Sequence, residues 1–89
     1  MAEQAPYRIT FARSARRELQ KLDPPIALRV LSAVEALAAN PRPPGCVKLT
    51  GSSNDWRIRT GDWRIIYTIS DTSRTVDISA IRHRSDAYR

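Results

Sequence analysis

The spacing of apolar positions changes several times along the chain, and each change predicts a new element. Apolar and polar residues alternate in Tyr7–Phe11, which is typical of a strand. In Ala12–Leu22 and again in Ile26–Leu37 the apolar residues recur at helical spacing, which predicts two helices. Asn40-Pro41 ends the second pattern, because proline does not continue a helix.

The segment Asp23-Pro24-Pro25 separates the two predicted helices. Aspartate is favoured at the N-cap and proline is tolerated in the first turn, so Asp23 is predicted to cap the second helix. Because the link is short, the two helices are expected to form a helical hairpin.

The second half of the chain predicts strands and turns. Val47–Gly51 indicates a short strand, and Asp71–Arg74 indicates a turn before the last strand. Between them, Trp56–Thr60 and Trp63–Tyr67 alternate on either side of Gly61-Asp62, which predicts a two-residue β-hairpin. The last strand is expected to line the core with Val76, Ile78 and Ala80.

The turn of the β-hairpin fixes which residues face each other. A glycine at the first central position suits a primed turn, whose twist matches that of the flanking strands. The pairs that follow are Thr60 with Trp63, Arg59 with Arg64, Ile58 with Ile65, Arg57 with Ile66, and Trp56 with Tyr67. One face of the β-hairpin is then apolar and aromatic, and the other carries three arginines.

Together these elements predict a small α+β domain with the order β-α-α-β-β-β, occupying Met1–Arg89 as a single domain. We expect a mainly antiparallel sheet with the two-helix hairpin on one face. A chain of 89 residues buries a core just large enough to fold alone. Helices on one face leave the other to solvent, so the arginine face of the β-hairpin is expected to be open.

The β-hairpin brings Arg59 directly opposite Arg64, with Arg57 on the same face. Directly opposed like charges destabilise a sheet by roughly a few tenths of a kcal/mol or more. A face with three guanidinium groups therefore indicates an anion-binding site, and phosphate is the natural candidate because guanidinium binds it in a bidentate manner. The alternative is a strand face whose arginines are merely solvated.

Composition points to the same class of partner. The formal net charge of +6 indicates a polyanion, either nucleic acid or an acidic protein. One cysteine, Cys46, allows no internal disulfide and no cysteine-based metal site, and one histidine, His83, excludes most zinc sites. The sequence shows no signal peptide and no apolar run of membrane-spanning length, so we expect a cytoplasmic protein without a membrane partner.

Five short segments stand in a fixed order along the chain. They are Tyr7-Arg8-Ile9, Lys48-Leu49-Thr50-Gly51, Arg57-Ile58-Arg59, Gly61-Asp62-Trp63-Arg64-Ile65-Ile66-Tyr67, and a terminal His83-Arg84 followed by Tyr88. In this order they resemble the RelE/ParE toxin superfamily, and more narrowly its RelE-type branch. The resemblance runs from about Tyr7 to Arg89, which is nearly the whole chain.

The resemblance implies the toxin of a type II toxin–antitoxin pair, an mRNA interferase that cuts mRNA in the ribosomal A site. In such endonucleases the ribose 2′-oxygen attacks the adjacent phosphate, with no metal or other cofactor, and leaves a 2′,3′-cyclic phosphate and a 5′-hydroxyl. The implied partners are a small acidic RelB-like antitoxin, the ribosome with its mRNA and rRNA, and operator DNA only through the antitoxin complex.

The resemblance also implies roles for individual residues. Arg57 and Arg59 before the turn, and Arg64 just after it, are expected to contact the phosphates. A basic residue near the end of the last strand, His83 or Arg84, is expected to help protonate the leaving oxygen.

Three further residues complete the predicted site. Tyr88 is expected to stack on a base or orient it. Lys48 and Arg82 are expected to bind RNA phosphate, although a plain surface position is the alternative for Lys48.

One departure from the family concerns the two positions before the turn, where the best-described relatives carry lysines and this chain has Arg57 and Arg59. Arginine keeps its proton in proteins, so it stabilises charge but is a poor general base. Histidine titrates near neutrality in its ordinary state, so His83 can serve as acid or base. Alternatively, the ribosome or the RNA supplies that group.

Two other functions remain open at this point. The first is a ParE-like inhibitor of DNA gyrase on the same scaffold, against which the His83-Arg84 and Tyr88 ending argues. The second is a catalytically degenerate member that binds only its antitoxin and operator DNA, which the missing lysines leave open.

Overall fold

A computed structural model describes residues 5–51 and 54–86 of the chain. In these parts, two helices and five strands follow the order β-α-α-β-β-β-β, which is one strand more than predicted. The elements are β1 (Arg8–Phe11), α1 (Arg13–Gln20), α2 (Pro24–Ala39), β2 (Val47–Lys48), β3 (Asp55–Thr60), β4 (Trp63–Ser70) and β5 (Thr75–His83), followed by a 3-10 turn (Arg84–Asp86). The two-residue β2 at one edge of the sheet lies within Val47–Gly51, where a short strand was predicted, so the predicted order counted one strand too few.

The five strands form one sheet in the order β1-β5-β4-β3-β2. β1 pairs with β5 in parallel, and the other three pairs are antiparallel. The first and last strands of the chain are therefore neighbours. The predicted α+β class with a mainly antiparallel sheet is confirmed.

The β-hairpin of β3 and β4 has the predicted register. All five predicted pairs are present, from Thr60 with Trp63 to Trp56 with Tyr67. Gly61 has a φ of +60°, the positive value that a primed turn requires at its first central position. The alternation of apolar and polar residues, together with Gly61, was therefore sufficient to predict the register of this β-hairpin.

The last strand departs from the predicted alternation. The register of β5 against β4 shifts at Ser79, which has no partner, so a β-bulge interrupts the strand. Beyond the bulge Ile81 is buried at 2% exposure, while Ala80 stands opposite Ile66 and is only half-buried. The prediction that Ala80 lines the core was wrong, because one inserted residue exchanges the two faces of a strand.

The core lies between the helices and one face of the sheet. The apolar face of the β-hairpin points toward the helices, with Trp56 and Trp63 partly buried against the core. Tyr67 is fully buried, and its hydroxyl donates to the carbonyl oxygen of Pro41 at 2.7 Å. The buried apolar residues are Ala15, Val30, Val34, Leu37, Ile58, Ile65, Tyr67, Ile69, Val76, Ile78 and Ile81.

Asp23 occupies the N-cap of α2, but its side chain makes no capping hydrogen bond. The prediction of a side-chain cap was therefore wrong. Pro24 and Pro25 fill the first two helical positions and have no N–H to donate, so one of the usual partners of a cap side chain is missing. The backbone oxygen of Asp23 accepts the N–H of Ala27 at 2.8 Å instead.

A polar network around Asp71 ties the start of the chain to the turn between β4 and β5. The Asp71 carboxylate accepts hydrogen bonds from the Tyr7 hydroxyl at 2.6 Å and from both terminal nitrogens of Arg42 at 2.9 and 3.3 Å. The Arg74 guanidinium lies 4.3 Å from the centre of the Tyr7 ring and donates to the carbonyl oxygen of Ala5. We call this cluster the Asp71 network.

Candidate functional site

Three arginines converge beside the turn of the β-hairpin. Arg59 and Arg64 are cross-strand partners, and the backbone N–H of Arg84 donates to the carbonyl oxygen of Asp62 at 2.8 Å. This bond brings the segment after β5 next to the turn. The three arginines, Gly61 and Asp62 line a hollow of about 180 Å³, which we call the arginine pocket.

Arg64 is held firmly within this pocket. Its side chain is buried, at 7% exposure, and its Nη1 donates to the carbonyl oxygen of Arg84 at 3.0 Å. The prediction that all the hairpin arginines lie on an open face was wrong for Arg64, because the chain turns back beside it after β5. Arg59 on the neighbouring strand is exposed as expected.

The arginine pocket carries an excess of positive charge. Among the described residues that line it there are three guanidinium groups and one carboxylate, that of Asp62. Arg84 Nε lies 3.8 Å from Asp62 Oδ1, and both side chains are about two-thirds exposed, at 69% and 66%. An ion pair this long and exposed contributes little. A bound phosphate would therefore meet three guanidinium groups and one carboxylate.

His83 lies on the other side of the strand end from the arginine pocket. Its ring makes an edge-to-face contact with Trp63, with centroids 5.2 Å apart and planes at 81°. Its Nδ1 accepts the backbone N–H of Ser85 at 3.2 Å and lies 2.9 Å from the Ser85 hydroxyl. Together with Leu22 and Ile81 it lines a separate hollow of about 390 Å³, which we call the Trp63 cleft.

The structure thus separates the two residues predicted as candidates for proton transfer. Successive side chains of a strand point to opposite faces, so His83 and Arg84 diverge where β5 ends. Arg84 lines the arginine pocket and His83 lines the Trp63 cleft. Arg82 stands opposite Arg64 in the register, but its side chain forms an ion pair with Glu18 of α1 and also lines the Trp63 cleft.

The remaining predicted residues lie farther along the sheet. Arg57 is half-buried, and its Nε has no hydrogen-bond partner among residues 5–51 and 54–86. Lys48 is exposed, with its Nζ 5.9 Å from the centre of the Trp56 ring. Neither residue lines the arginine pocket. Tyr88 lies outside the described residues.

Two residues near the turn, Asp62 and Arg29, were not predicted as site residues. Asp62 was recognised as a turn residue but not as part of the charge balance of a pocket. Arg29 of α2 extends to the turn, since its Nη1 lies 3.5 Å from where a Cβ on Gly61 would stand. Arg29 lies off the buried stripe of α2, so the sequence indicates that its side chain is exposed. No local pattern shows that this part of α2 lies close to the turn of the β-hairpin.

The described residues contain neither a cluster of metal-binding side chains nor a helix of membrane-spanning length and character. In ranges 5–51 and 54–86, no group of three or more His, Cys, Asp or Glu side chains is placed to hold a metal ion. Within the same ranges, neither helix is both long enough and apolar enough to cross a membrane.

The chain is similar to known toxins over nearly all of its length. Residues 9–88 match the family model described as ParE toxin of type II toxin–antitoxin system, parDE. Toxin RelG of Mycobacterium tuberculosis is 35% identical over 85 residues, which cover 94% of this chain and 98% of the relative. Toxin RelE of the same organism is 32% identical over 90 residues, covering 100% of this chain and 93% of the relative.

Solved structures of such toxins have the same fold. The toxin–antitoxin complex RelBE2 from Mycobacterium tuberculosis contains a chain with a TM-score of 0.79 and 32% identity, covering 89% of this chain and 99% of that chain. The archaeal RelE–RelB complex from Pyrococcus horikoshii contains one with a TM-score of 0.80 and 26% identity, covering 92% and 99% respectively.

Proposed function

This chain belongs to the RelE/ParE family of toxins of type II toxin–antitoxin systems, and on that premise we propose that it cuts mRNA on the ribosome. The observation that carries the proposal is the arginine pocket, where Arg59, Arg64 and Arg84 surround a hollow of about 180 Å³ with one carboxylate among the lining residues described. The relatives named RelG and RelE favour the RNA-cleaving branch.

The pocket suits a phosphoryl group on which negative charge increases during the reaction. In the proposed step the ribose 2′-hydroxyl gives up its proton to water, RNA or the ribosome and its oxygen attacks phosphorus. The bond from phosphorus to the 5′-oxygen breaks, and the 5′-oxygen takes up a proton. Arg64 is already fixed by its bond to the Arg84 carbonyl, so its donors need no reorganisation when charge develops. Such fixed donors typically contribute about 3 kcal/mol each to stabilising a transition state.

We assign stabilisation of the leaving oxygen to Arg84 rather than to His83. Arg84 lines the pocket, whereas His83 contacts Trp63 and Ser85 in the neighbouring cleft. Because arginine does not release its proton, the proton itself comes from water, RNA or the ribosome. The ribosome also aligns the 2′-oxygen with the phosphate, and alignment of this kind lowers barriers by about 7 to 11 kcal/mol in the best cases.

The partner proposed for the free toxin is a small acidic antitoxin of RelB type. Two solved relatives are complexes of RelE-type toxins with RelB proteins. The net charge of +6 on this chain favours an acidic segment that folds upon binding. We expect the chain to co-purify with the product of a neighbouring gene and to reach operator DNA only through that complex. A chain that is harmless and monomeric without any partner would contradict this.

A gyrase inhibitor is the second candidate, because the matching family model is described by the ParE toxin. One induction experiment separates the candidates by following translation, mRNA ends and DNA damage in the same culture. Arrest of translation with codon-phased mRNA cuts supports the proposed function. DNA damage without mRNA cuts supports the gyrase inhibitor, and growth without toxicity indicates a catalytically degenerate member.

A further inference from the structure

The carboxylate of Glu18 occupies an edge of the sheet that β1 leaves unpaired. β1 pairs with β5 only as far as Ile78, and α1 lies along the part of β5 that follows. Glu18 Oε1 accepts the backbone N–H of Ile81 at 2.9 Å, and Glu18 Oε2 pairs with the guanidinium of Arg82. One side chain of α1 therefore binds both the backbone of β5 and the arginine that follows Ile81.

The bulge at Ser79 determines where Arg82, the partner of Glu18, stands in the sheet. Because of the shifted register, Arg82 stands directly opposite Arg64, which itself stands opposite Arg59. The Cβ atoms of directly opposed residues lie about 5 Å apart, so an extended Arg82 side chain has the length to reach a phosphate bound at Arg64. The sheet thus carries a row of three arginines across β3, β4 and β5, and the third is paired with Glu18.

We propose that Glu18 is a positioning residue that binds Arg82 in the free protein in place of RNA phosphate, and that RNA binding transfers Arg82 from Glu18 to the phosphate held at Arg64. This inference rests on the proposed function, since it takes the arginine pocket as the RNA site. The carboxylate offsets the repulsion between neighbouring arginines until the substrate arrives. The full positive charge of the row then acts on the RNA.

The exposure of the pair makes such an exchange feasible. The Arg82 and Glu18 side chains are 41% and 26% exposed, so solvent and salt screen their attraction. A phosphate held between guanidinium groups offers Arg82 a second anion with two oxygens in fork geometry. Arg82 gains that contact without any rearrangement of the backbone of β5.

The test compares two glutamine variants in binding a single-stranded 2′-O-methyl RNA oligonucleotide, which the 2′-oxygen mechanism cannot cleave. Glu18→Gln keeps an oxygen for the Ile81 N–H but removes the charge that holds Arg82. Glu35→Gln, on the exposed surface of α2, changes the net charge by the same amount and is the matched control. We expect Glu18→Gln to bind about two- to fivefold tighter than the wild type, and Glu35→Gln to bind like it.

Two further measurements test whether Arg82 causes the tighter RNA binding of Glu18→Gln. The salt dependence of binding should become steeper in Glu18→Gln by about one phosphate contact, which is a slope change of roughly 0.7 for single strands. In an Arg82→Ala background the Glu18→Gln substitution should change nothing. Equal binding by the two glutamine variants, a gain that persists without Arg82, or no RNA binding by any variant would overturn the inference.

A measurement on the wild type covers the case in which Glu18→Gln does not fold. Titration with the same RNA should shift the NMR resonances of the Glu18 carboxyl and the Arg82 Nε together, with one binding curve. An unchanged Glu18 resonance at saturation would contradict the exchange. Both experiments measure RNA binding and neither requires cleavage. Failure of mRNA cleavage on ribosomes would therefore refute the proposed function, while the effect of Glu18→Gln on RNA binding could still be interpreted.

Discussion

The two ends of β4 carry two clusters of arginines that differ in their partners. At the Asp71 network, just beyond the end of β4, Arg42 forms two hydrogen bonds to one carboxylate and Arg74 lies over an aromatic ring. At the arginine pocket, near the start of β4, Arg59 has no carboxylate partner among the described residues, and Arg84 lies 3.8 Å from Asp62. Charge alone therefore does not identify a binding site.

The clusters differ in how closely an arginine is paired with a carboxylate, at 2.9 Å for Arg42 and Asp71 and at 3.8 Å for Arg84 and Asp62. The Asp71 network fastens the start of the chain to a turn and leaves little positive charge for a ligand. The arginine pocket gathers three guanidinium groups around a hollow of about 180 Å³, with Asp62 as the one carboxylate among the lining residues described. We therefore expect substitutions in the pocket to change RNA cleavage and substitutions in the network to change stability.

The largest expected effect is that of Arg64→Ala. Loss of a fixed donor to the phosphate should slow single-turnover cleavage on programmed ribosomes about a hundredfold, or about 3 kcal/mol in the activation free energy. Arg64→Lys should recover only part of this, because an ammonium does not reproduce the guanidinium fork. Since Arg64 is buried, circular dichroism must accompany the assay. Arg42→Ala in the Asp71 network is the matched control and should cleave at the wild-type rate.

A smaller effect should separate Arg84 from His83 at the end of β5. Arg84→Ala removes a guanidinium from the pocket and should lower the single-turnover rate roughly tenfold. His83→Ala removes a ring that contacts Trp63 and should lower it less than threefold. The opposite ranking would place the chemistry in the Trp63 cleft and refute the assignment of the leaving oxygen to Arg84.

Conservative exchange at Arg59 should have a smaller effect still. The side chain is exposed and contributes charge from the neighbouring strand, so Arg59→Lys keeps the charge and restores the residue type of the relatives. We expect a single-turnover rate within about threefold of the wild type, or above it if the lysine loses a proton in the reaction. A loss as large as that of Arg64→Ala would show that Arg59 binds phosphate through its fork.

The Asp71 network should be visible in the pH dependence of stability. Hydrogen bonds from Arg42 and then Tyr7 lower the pKa of Asp71 below its ordinary value of 3.8. A carboxyl group with a lowered pKa stabilises the fold above its ordinary value, and this contribution is lost as the pH falls through the lowered value. The free energy of unfolding of the wild type should therefore decrease below pH 3.8, and Asp71→Asn should lack this part of the decrease. If the free energy of unfolding fell equally steeply with pH in the wild type and in Asp71→Asn, this contribution of Asp71 would be refuted.

Local patterns were sufficient for much of the fold. Alternation around Gly61-Asp62 predicted the register of β3 and β4 and so the opposition of Arg59 and Arg64. The bulge at Ser79 was not predictable, because an inserted residue that only interrupts pairing leaves no side-chain pattern. Ala80, which follows the bulge, was therefore assigned to the wrong face.

The site depended more on tertiary contacts. Arg64 is buried because the chain turns back after β5, and the sequence of the β-hairpin does not contain this information. The same return separates His83 from Arg84, which the sequence treated as alternatives for one role. The contact of Glu18 with β5 joins residues more than sixty positions apart, beyond any local period.

The most direct test of the central claim is to map product ends from purified wild-type toxin incubated with the same mRNA, free and bound to ribosomes. The account predicts codon-phased cuts with 2′,3′-cyclic phosphate and 5′-hydroxyl ends on ribosome-bound mRNA. It predicts little cleavage of free mRNA, because the arginine pocket supplies charge but not the alignment of the 2′-oxygen. Equal cleavage of free and bound mRNA, or no cleavage of either, would contradict it.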